Sequence, residues 1–463
     1  MTTFDLILKN CKIIVNDTFI DNVTIGVSEG KIVYIGKKSI TEGECDKQLD
    51  AKGNLVLPGA IDAHPHIEDP KFFQGREDFY TASKSALMGG VTSVVEMPTW
   101  NPVITLEQIK EKIKLGEEKS FIDFGLHAGN VRDILSDEHL QKLLELGVIS
   151  FKTFTCKPYF CNDYVIVANL RKFAKYGMIA MFHAENDYII DGTEKEYKAK
   201  KLSTPEIHVK VRPKLAEIEA ISRLRTFAKY TGAHVHIVHM STGEGVEIIK
   251  RAKEEGLNVT VETCPHYLYF TEEDMKKLGP YLKVNPPVRS KNDLEKLWLG
   301  LREGVIDIVT SDHYPTFKHE REVGWTNIWE VRSGLPGIAT MYPLMIHAAL
   351  IGRISFRKLI NLLAENVAKI FGLYPRKGWI GVGADADLVV VNPNKETKIT
   401  AEKFLIHSGW TPFEGFTVKG RIEYVVCKGE VAVEQEEFKL TKPKGKYIKR
   451  YSKTSYTSLK RFK

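Results

Sequence analysis

The sequence predicts an α/β fold: a (β/α)8 barrel joined to a small β domain built from the two ends of the chain. Eight apolar runs of β character recur between residues 56 and 310, and charged amphipathic segments of helical texture separate them. This alternation is typical of βα units around a parallel sheet. Strand-like segments with turn signals precede and follow the region. The length of 463 residues suits one barrel with additions.

The eight runs predict the barrel strands in chain order. Because each is apolar on both faces, a closed barrel fits them better than an open sheet. The predicted strands are Val56–Ala63, Thr92–Met97, Phe121–Leu126, Val148–Phe154, Met178–Phe182, His234–Val238, Asn258–Glu262 and Ile306–Thr310. The flanking β segments are Leu6–Val15, Val23–Val27 and Lys31–Ile35 before the barrel, and Ala386–Val391, Glu423–Cys427 and Glu430–Val433 after it.

These patterns divide the chain into three parts. We expect residues 1–57 and 378–438 to form the composite β domain, residues 58–377 the barrel, and residues 439–463 a basic tail. The formal net charge is +7, but ten Lys and Arg residues and no acid lie in the tail, which leaves −3 for residues 1–438. The basicity therefore belongs to the tail and says little about the barrel.

Composition excludes several classes of protein. The N-terminus lacks the basic start and apolar run of a signal peptide, and no stretch reaches the roughly 18 apolar residues of a membrane helix. The six cysteines form no CxxC pair, which argues against a disulfide framework or a thiolate zinc site. We therefore expect a soluble cytoplasmic protein that does not bind membranes.

Polar residues at the strand ends predict the site. In α/β barrels the active site lies where the strands end and the loops begin. An HxH pair on an extended segment places two imidazoles on one side, as a metal ion requires. By itself it is weak evidence, and repetition at five strand ends makes it strong. The candidates are His64 and His66 after strand one, Lys152 in strand four, His183 after strand five, His239 after strand six and Asp312 after strand eight.

Lys152 allows two interpretations. A cationic lysine would repel a divalent metal and would instead pair with a nearby acid. A neutral amine can add carbon dioxide, and the resulting carbamate could bridge two metals about 3.5 to 4 Å apart. Spacing alone favours the acid pair.

Several motifs resemble one family. The chain is similar to the cyclic amidohydrolases of the amidohydrolase superfamily, a group that includes allantoinases, dihydropyrimidinases (hydantoinases) and dihydroorotases. The resemblance covers about residues 5–433 and implies a (β/α)8 barrel with a composite β-sandwich. The motifs are Gly59–His66, Gly89–Thr92, Ser150–Lys152, His183–Asn186, His236–Ser241, Thr310–His313 and Gly383–Leu388.

The resemblance also implies a binuclear metal centre. Carried over by position, His64, His66, Lys152 and Asp312 would hold one metal, and Lys152, His183 and His239 the other, with Lys152 carboxylated by carbon dioxide. Zinc is the ion implied, although such nitrogen and oxygen ligands also accept manganese, cobalt or iron. A bridging hydroxide would attack the ring amide, and Asp312 is the catalytic candidate for moving the proton to the leaving nitrogen. Asn285 and Ser333 match positions that hold the ring amide.

The substrate remains open among three rings. Allantoinases resemble this chain in the acid and proline after HxH and in the motif Glu262–Leu268, so an allantoinase-like function comes first. Hydantoinases carry a tyrosine five residues after the lysine, where this chain has Lys157, although a shifted Tyr159 could serve. Dihydroorotases place an arginine where this chain has Glu68, so this alternative needs another cation, such as Lys157 or Arg289.

Two further alternatives concern partners. A non-catalytic scaffold of the same fold would be marked by loss of metal ligands, and all six are present. The tail interleaves aromatics with cations in Lys446–Tyr451, as single-strand binders do. A solvated or subunit-docked tail is the preferred interpretation, so nucleic acid is not expected as a partner outside the tail. The resemblance implies a homo-oligomer, a dimer or tetramer, and a small cyclic amide as substrate.

Overall fold

The computed structural model describes residues 4–15, 17–37, 45–69, 76–98 and 102–450. Within these ranges the strands are β1 (Phe4–Val15), β2 (Thr18–Ser28), β3 (Lys31–Gly36), β4 (Cys45–Asp50), β5 (Leu55–Pro58), β6 (Ala60–Asp62), β7 (Val91–Glu96), β8 (Asp123–Leu126), β9 (Phe151–Phe154), β10 (Ile179–His183), β11 (His234–Ile237), β12 (Val259–Thr263), β13 (Ile308–Val309), β14 (Leu388–Lys398), β15 (Thr417–Cys427), β16 (Glu430–Glu434) and β17 (Glu437–Phe438). The helices are α1 (Phe79–Met88), α2 (Leu106–Lys119), α3 (Asp137–Leu146), α4 (Asp163–Tyr176), α5 (Asp187–Ala199), α6 (Ile207–Val211), α7 (Lys214–Thr231), α8 (Gly243–Glu254), α9 (Pro265–Tyr269), α10 (Met275–Leu278), α11 (Lys291–Glu303), α12 (Lys318–Glu322), α13 (Met341–Leu350), α14 (Phe356–Ile360) and α15 (Asn366–Ile370).

The predicted barrel is confirmed. Strands β6, β7 and β8 form one parallel group, and β9 to β13 form another. The two groups join where the Ile149 amide donates to the Leu126 carbonyl at 3.0 Å. The ring closes where the His66 amide donates to the His313 carbonyl at 2.8 Å. The eight strand ends therefore open at one face.

The predicted first strand, Val56–Ala63, is in fact two strands. Its first half is β5, which pairs antiparallel with β14 and belongs to the β domain, whereas its second half is β6 of the barrel. The break follows Pro58, and the amide of Gly59 donates instead to Asp387 at 2.9 Å. A Cβ at Gly59 would lie 2.1 Å from Thr92 Oγ1, so only glycine permits this approach. The apolar run is continuous because both strands are buried.

The β domain combines both ends of the chain, as predicted. Its nine strands run in the order β17-β16-β15-β14-β5-β1-β2-β3, and β4 pairs with β1. Strands β5 and β14 make the junction between the N-terminal and C-terminal contributions. A separate buried cluster, including Leu8, Ile25 and Val390, lies within this domain.

Local sequence signals set the ends of the barrel helices. Helix α4 begins after Asn162, whose side chain accepts from the Val165 amide at 3.1 Å, and ends before Gly177 at φ 62°. Ser290 caps α11 in the same way. Such caps satisfy backbone amides that lack partners inside the helix. No helix of the described part of the chain is long and apolar enough to span a bilayer.

The predicted tail is packed against the protein for its first part. We call residues 444–450 the C-terminal strap. The Phe124 amide donates to the Lys446 carbonyl at 3.0 Å, and the Ile448 amide donates to the Phe124 carbonyl at 2.8 Å. The Ile448 side chain is buried among residues of the barrel interior, and Tyr447 packs on Phe124 with ring centroids 5.8 Å apart. Residues 446–450 of the run that resembles a single-strand binder thus cover the barrel end opposite the strand-end face. Residues 451–463 lie outside the described residues.

Candidate metal centre and active site

A cavity of about 280 Å³ opens at the carboxyl ends of the barrel strands. The structure brings all six predicted ligands to its wall, from the segment after β6, from β9 and β10, and from the residues that follow β11 and β13. They are His64, His66, Lys152, His183, His239 and Asp312. Strand-end placement alone therefore accounts for the convergence.

Four of these residues form the tightest group. His64 Nε2 lies 3.4 Å from Lys152 Nζ and 3.5 Å from Asp312 Oδ1. His66 Nε2 lies 3.4 Å from the same Asp312 oxygen. The other two ligands adjoin it, since the His239 ring centroid is 5.4 Å from that of His64 and 4.6 Å from that of His183.

Hydrogen bonds orient two imidazoles. His64 Nδ1 contacts a Glu262 oxygen, and His66 Nδ1 lies 2.9 Å from the Met97 carbonyl. Because each partner is an acceptor, Nδ1 carries the proton and Nε2 is left to face the cavity. Burial lowers the pKa of His64 to about 4, so its ring is neutral at neutral pH, as a metal ligand must be.

In His183 the other ring nitrogen, Nε2, makes the orienting hydrogen bond. Its Nε2 lies 2.6 Å from Glu185 Oε2, and Arg212 clamps that carboxylate. Burial acts to raise the pKa of Glu185, but Arg212 and His183 lower it below its ordinary value. The carboxylate therefore accepts the Nε2 proton and leaves Nδ1 of His183 for an ion.

Two further observations fit a bound metal. The buried Nδ1 of His239 has no hydrogen-bond partner among the described residues, and a buried polar atom of this kind needs one. His239 and Asp312 also hold left-handed backbone angles, with φ 38° and 48°. Such conformations in residues other than glycine cost energy and cluster at functional sites.

Lys152 lies in an environment that disfavours its cationic form. It is fully buried, and no carboxylate in the described ranges lies within ion-pair distance of it. Burial lowers the pKa of the Lys152 amine to about 8, despite the attraction of Glu262 and Asp312. The acid pair that spacing favours is therefore not formed among the described residues, and the lowered pKa makes the neutral amine that carbon dioxide requires easier to reach than in a free lysine.

Asp312 remains a carboxylate. Burial acts to raise the pKa of Asp312, but its contacts with His66 and His64 lower it below the ordinary value. An ionised Asp312 can bind a cation and can also accept a proton.

Asn285 and Ser333 lie together on the cavity wall. The Ser333 hydroxyl donates to Asn285 Oδ1 at 3.0 Å. Lys283 fastens the two segments, since its Nζ donates to the carbonyls of Ile328 and Val331 at 2.7 and 2.6 Å. Lys283 therefore stabilises the part of the cavity wall that carries Asn285 and Ser333.

The structure changes the interpretation of two substrate-related residues. Glu68 does not line the cavity, and it accepts from the Tyr314 hydroxyl at 3.1 Å. Arg289, a predicted substitute cation, is wrong for that role because it is buried against Glu217 and Ser241.

Lys157 does line the cavity, although its amine pairs with Asp191 at 2.9 Å. Tyr159 lines the cavity beside Phe154, with ring centroids 5.2 Å apart.

The sequence prediction missed the residues that orient the ligands. Glu262 contacts His64, accepts from His236 Nε2 at 3.1 Å, and accepts from the His239 amide at 3.2 Å. The available signal was its place as an acid in a buried strand, directly before the strand-seven end. Glu185 also lay inside the motif His183–Asn186. Arg212 carried no such signal.

Comparison with known proteins places these features in a family. The amidohydrolase family model matches residues 55–432. An L-hydantoinase from Paenarthrobacter aurescens is 33% identical over 454 residues, covering 96% of this chain and 98% of the relative. An allantoinase from Bacillus licheniformis is 33% identical over 459 residues, covering 96% and 99%.

The solved structure of an L-hydantoinase (dihydropyrimidinase) from Arthrobacter aurescens superposes with a TM-score of 0.91 at 33% identity. The superposition covers 97% of this chain and 100% of the L-hydantoinase chain. A solved D-hydantoinase gives a TM-score of 0.90 at 32% identity. This protein therefore belongs to the amidohydrolase family, within its cyclic amidohydrolase group.

Proposed function

We propose that this protein opens the ring of a cyclic ureide by hydrolysing a ring amide at a two-metal centre, with allantoin as the first candidate substrate. One observation carries the proposal: six groups suited to metal binding converge on one cavity, and the protein fixes which nitrogen three of the imidazoles present. Membership of the cyclic amidohydrolases makes the chain a hydrolase.

The proposed ligands divide into two sets that share Lys152. His64, His66 and Asp312 would hold one divalent ion with a carbamate on Lys152, and His183 and His239 would hold the other. Zinc is the expected ion. Two such ions would act as Lewis acids that lower the pKa of water and polarise a carbonyl.

The remaining steps belong to the protein. Asn285 and Ser333 would bind the ring amide and hold its carbonyl carbon over the metal ligands. Asp312, an ionised carboxylate, would accept a proton from the attacking water. It would then deliver that proton to the ring nitrogen as the C–N bond breaks, because an unprotonated amide nitrogen leaves poorly. The carbonyl becomes the carboxylate of the opened product.

Three other rings rank below allantoin as candidate substrates. Tyr159 on the cavity wall favours hydantoin and dihydrouracil as second candidates, since it can serve as the tyrosine that the sequence lacks at position 157. Dihydroorotate comes third, because Arg289 is turned away and Lys157 is paired with Asp191.

A substrate panel tests the proposal. Enzyme loaded with zinc in bicarbonate buffer is incubated with allantoin, hydantoin, dihydrouracil and dihydroorotate, and the new carboxylate is titrated in a pH-stat. We expect ring opening, fastest with allantoin. Asp312→Asn should lower kcat at least a hundredfold. Absence of ring opening with all four would refute the function, and turnover of dihydroorotate alone would overturn the order. Assembly into a dimer or tetramer is a separate prediction, which light scattering tests.

A further inference from the structure

Arg212 lies between the substrate cavity and a metal ligand. It follows α6, and its side chain is 12% exposed and lines the cavity. Its Nε donates to both oxygens of Glu185 at 3.1 Å, and its Nη2 donates to the same carboxylate. Glu185 is fully buried and contacts His183 Nε2 at 2.6 Å. A continuous chain of contacts thus joins the cavity wall to His183.

Further hydrogen bonds stabilise this series of contacts from Arg212 to His183. Thr155 donates its hydroxyl to the carbonyls of His183 and Glu185 at 2.9 and 2.8 Å, which fixes the backbone on either side of Ala184. Arg289 donates to the Arg212 carbonyl at 2.5 Å. The backbone that carries the Arg212 side chain is therefore held in place. Because the planar guanidinium donates to both oxygens of one carboxylate, it can adopt only one orientation.

The two edges of the guanidinium face different partners. Nε and Nη2 form the edge that holds Glu185. Nη1 of Arg212 donates to no atom in the described part of the chain, and the residue lines the open cavity. A carbonyl oxygen of a bound ring is the kind of acceptor this second edge fits.

We propose that Arg212 is a positioning residue with two roles. Through Glu185 it fixes the His183 tautomer that presents Nδ1 to the metal, and through Nη1 it holds a carbonyl of the substrate ring. The substrate contact rests on the proposed function, whereas the control of the His183 tautomer does not.

Metal binding tests the control of the tautomer without any turnover. Arg212→Met and Glu185→Gln are loaded with zinc, and metal content and affinity are measured by mass spectrometry and chelator competition. We expect occupancy to fall from two ions toward one, with affinity at the weakened site lowered about tenfold to a hundredfold. Arg223→Met is the matched control, because Arg223 pairs with Asp163 on the outer helices, and it should bind as wild type.

Wild-type affinity at both sites in either variant would overturn the control of the tautomer. Circular dichroism of the metal-free proteins checks folding, and Glu185→Gln preserves side-chain volume if Arg212→Met fails to fold.

Substrate affinity tests the contact through Nη1. Arg212→Lys keeps a cation for Glu185 but has no second edge. We expect normal metal content and a KM raised about tenfold, and an unchanged KM would overturn the substrate contact. If wild type opens no ring, the proposed function fails, while the metal measurements still decide whether Arg212 controls the His183 tautomer.

Discussion

Truncating Ile448 tests whether the C-terminal strap is part of the folded core. Its side chain is 1% exposed and belongs to the buried cluster that contains Ile149 and Ile179 of the barrel. Ile448→Ala removes three buried carbons, worth about 0.8 kcal/mol each, and leaves a cavity whose walls collapse only partly. We therefore expect a loss of about 3 kcal/mol.

The expected shift in melting temperature follows from chain length. Unfolding entropy scales to roughly 1 kcal/mol/K for a chain of this size if it unfolds as one unit, so about 3 kcal/mol lowers the Tm by about 3 °C. Differential scanning calorimetry measures the shift. Val382→Ala is the control, because Val382 is 62% exposed and its truncation should leave the Tm unchanged.

Ring-opening rates at 25 °C should stay at the wild-type level in Ile448→Ala, because the strap lies at the barrel end away from the cavity. A Tm within 1 °C of wild type would refute the packed strap. Deletion from residue 444 should lower the Tm at least as much as Ile448→Ala.

Three further predictions concern protons and metals. Burial lowers the pKa of His234 to about 3, below the value of about 6.5 in the unfolded chain. Between these two values only the unfolded state binds a proton at His234, so the free energy of unfolding falls as the pH drops below 6.5. His234→Gln should reduce the stability lost between pH 7 and pH 5 by about 2 kcal/mol in urea titrations, and an unchanged loss would contradict this. Glu262→Gln should weaken metal binding about tenfold to a hundredfold, because His64 loses its anionic partner; equal chelator resistance would contradict it. Enzyme stripped of metal at low pH without carbon dioxide should regain full zinc content only when bicarbonate is added, and recovery without bicarbonate would argue against a carbamate on Lys152.

The barrel and the six candidate ligands were predictable because both depend on local pattern. Apolar runs mark parallel strands, and a residue just past each run lies at the common face wherever the strands meet. His239 and Asp312 could be identified in this way without knowledge of their neighbours. The structure adds that their backbones are left-handed, which no spacing shows.

The features that the sequence did not predict depend on contacts between residues far apart in the chain. Glu262 lies 198 residues from His64, and nothing in the sequence pairs them. The division of strand one at Gly59 depends on an acceptor at Asp387, supplied by the other end of the chain. Ile448 is one apolar residue among cations, so composition indicates a solvated tail, and only the barrel end it fills shows otherwise.

The junction at Gly59 limits how this enzyme can be recombined with its relatives. One residue separates β5 of the nine-stranded sheet from β6 of the barrel, and β5 is paired with β14 from the opposite end of the chain. A chimaera whose crossover lies before β5 and whose second crossover lies before β14 would pair a β5 from one parent with a β14 from the other. Crossovers should therefore transfer β5 and β14 together, so that β6 and the predicted ligands His64 and His66 after it continue from an intact strand pair.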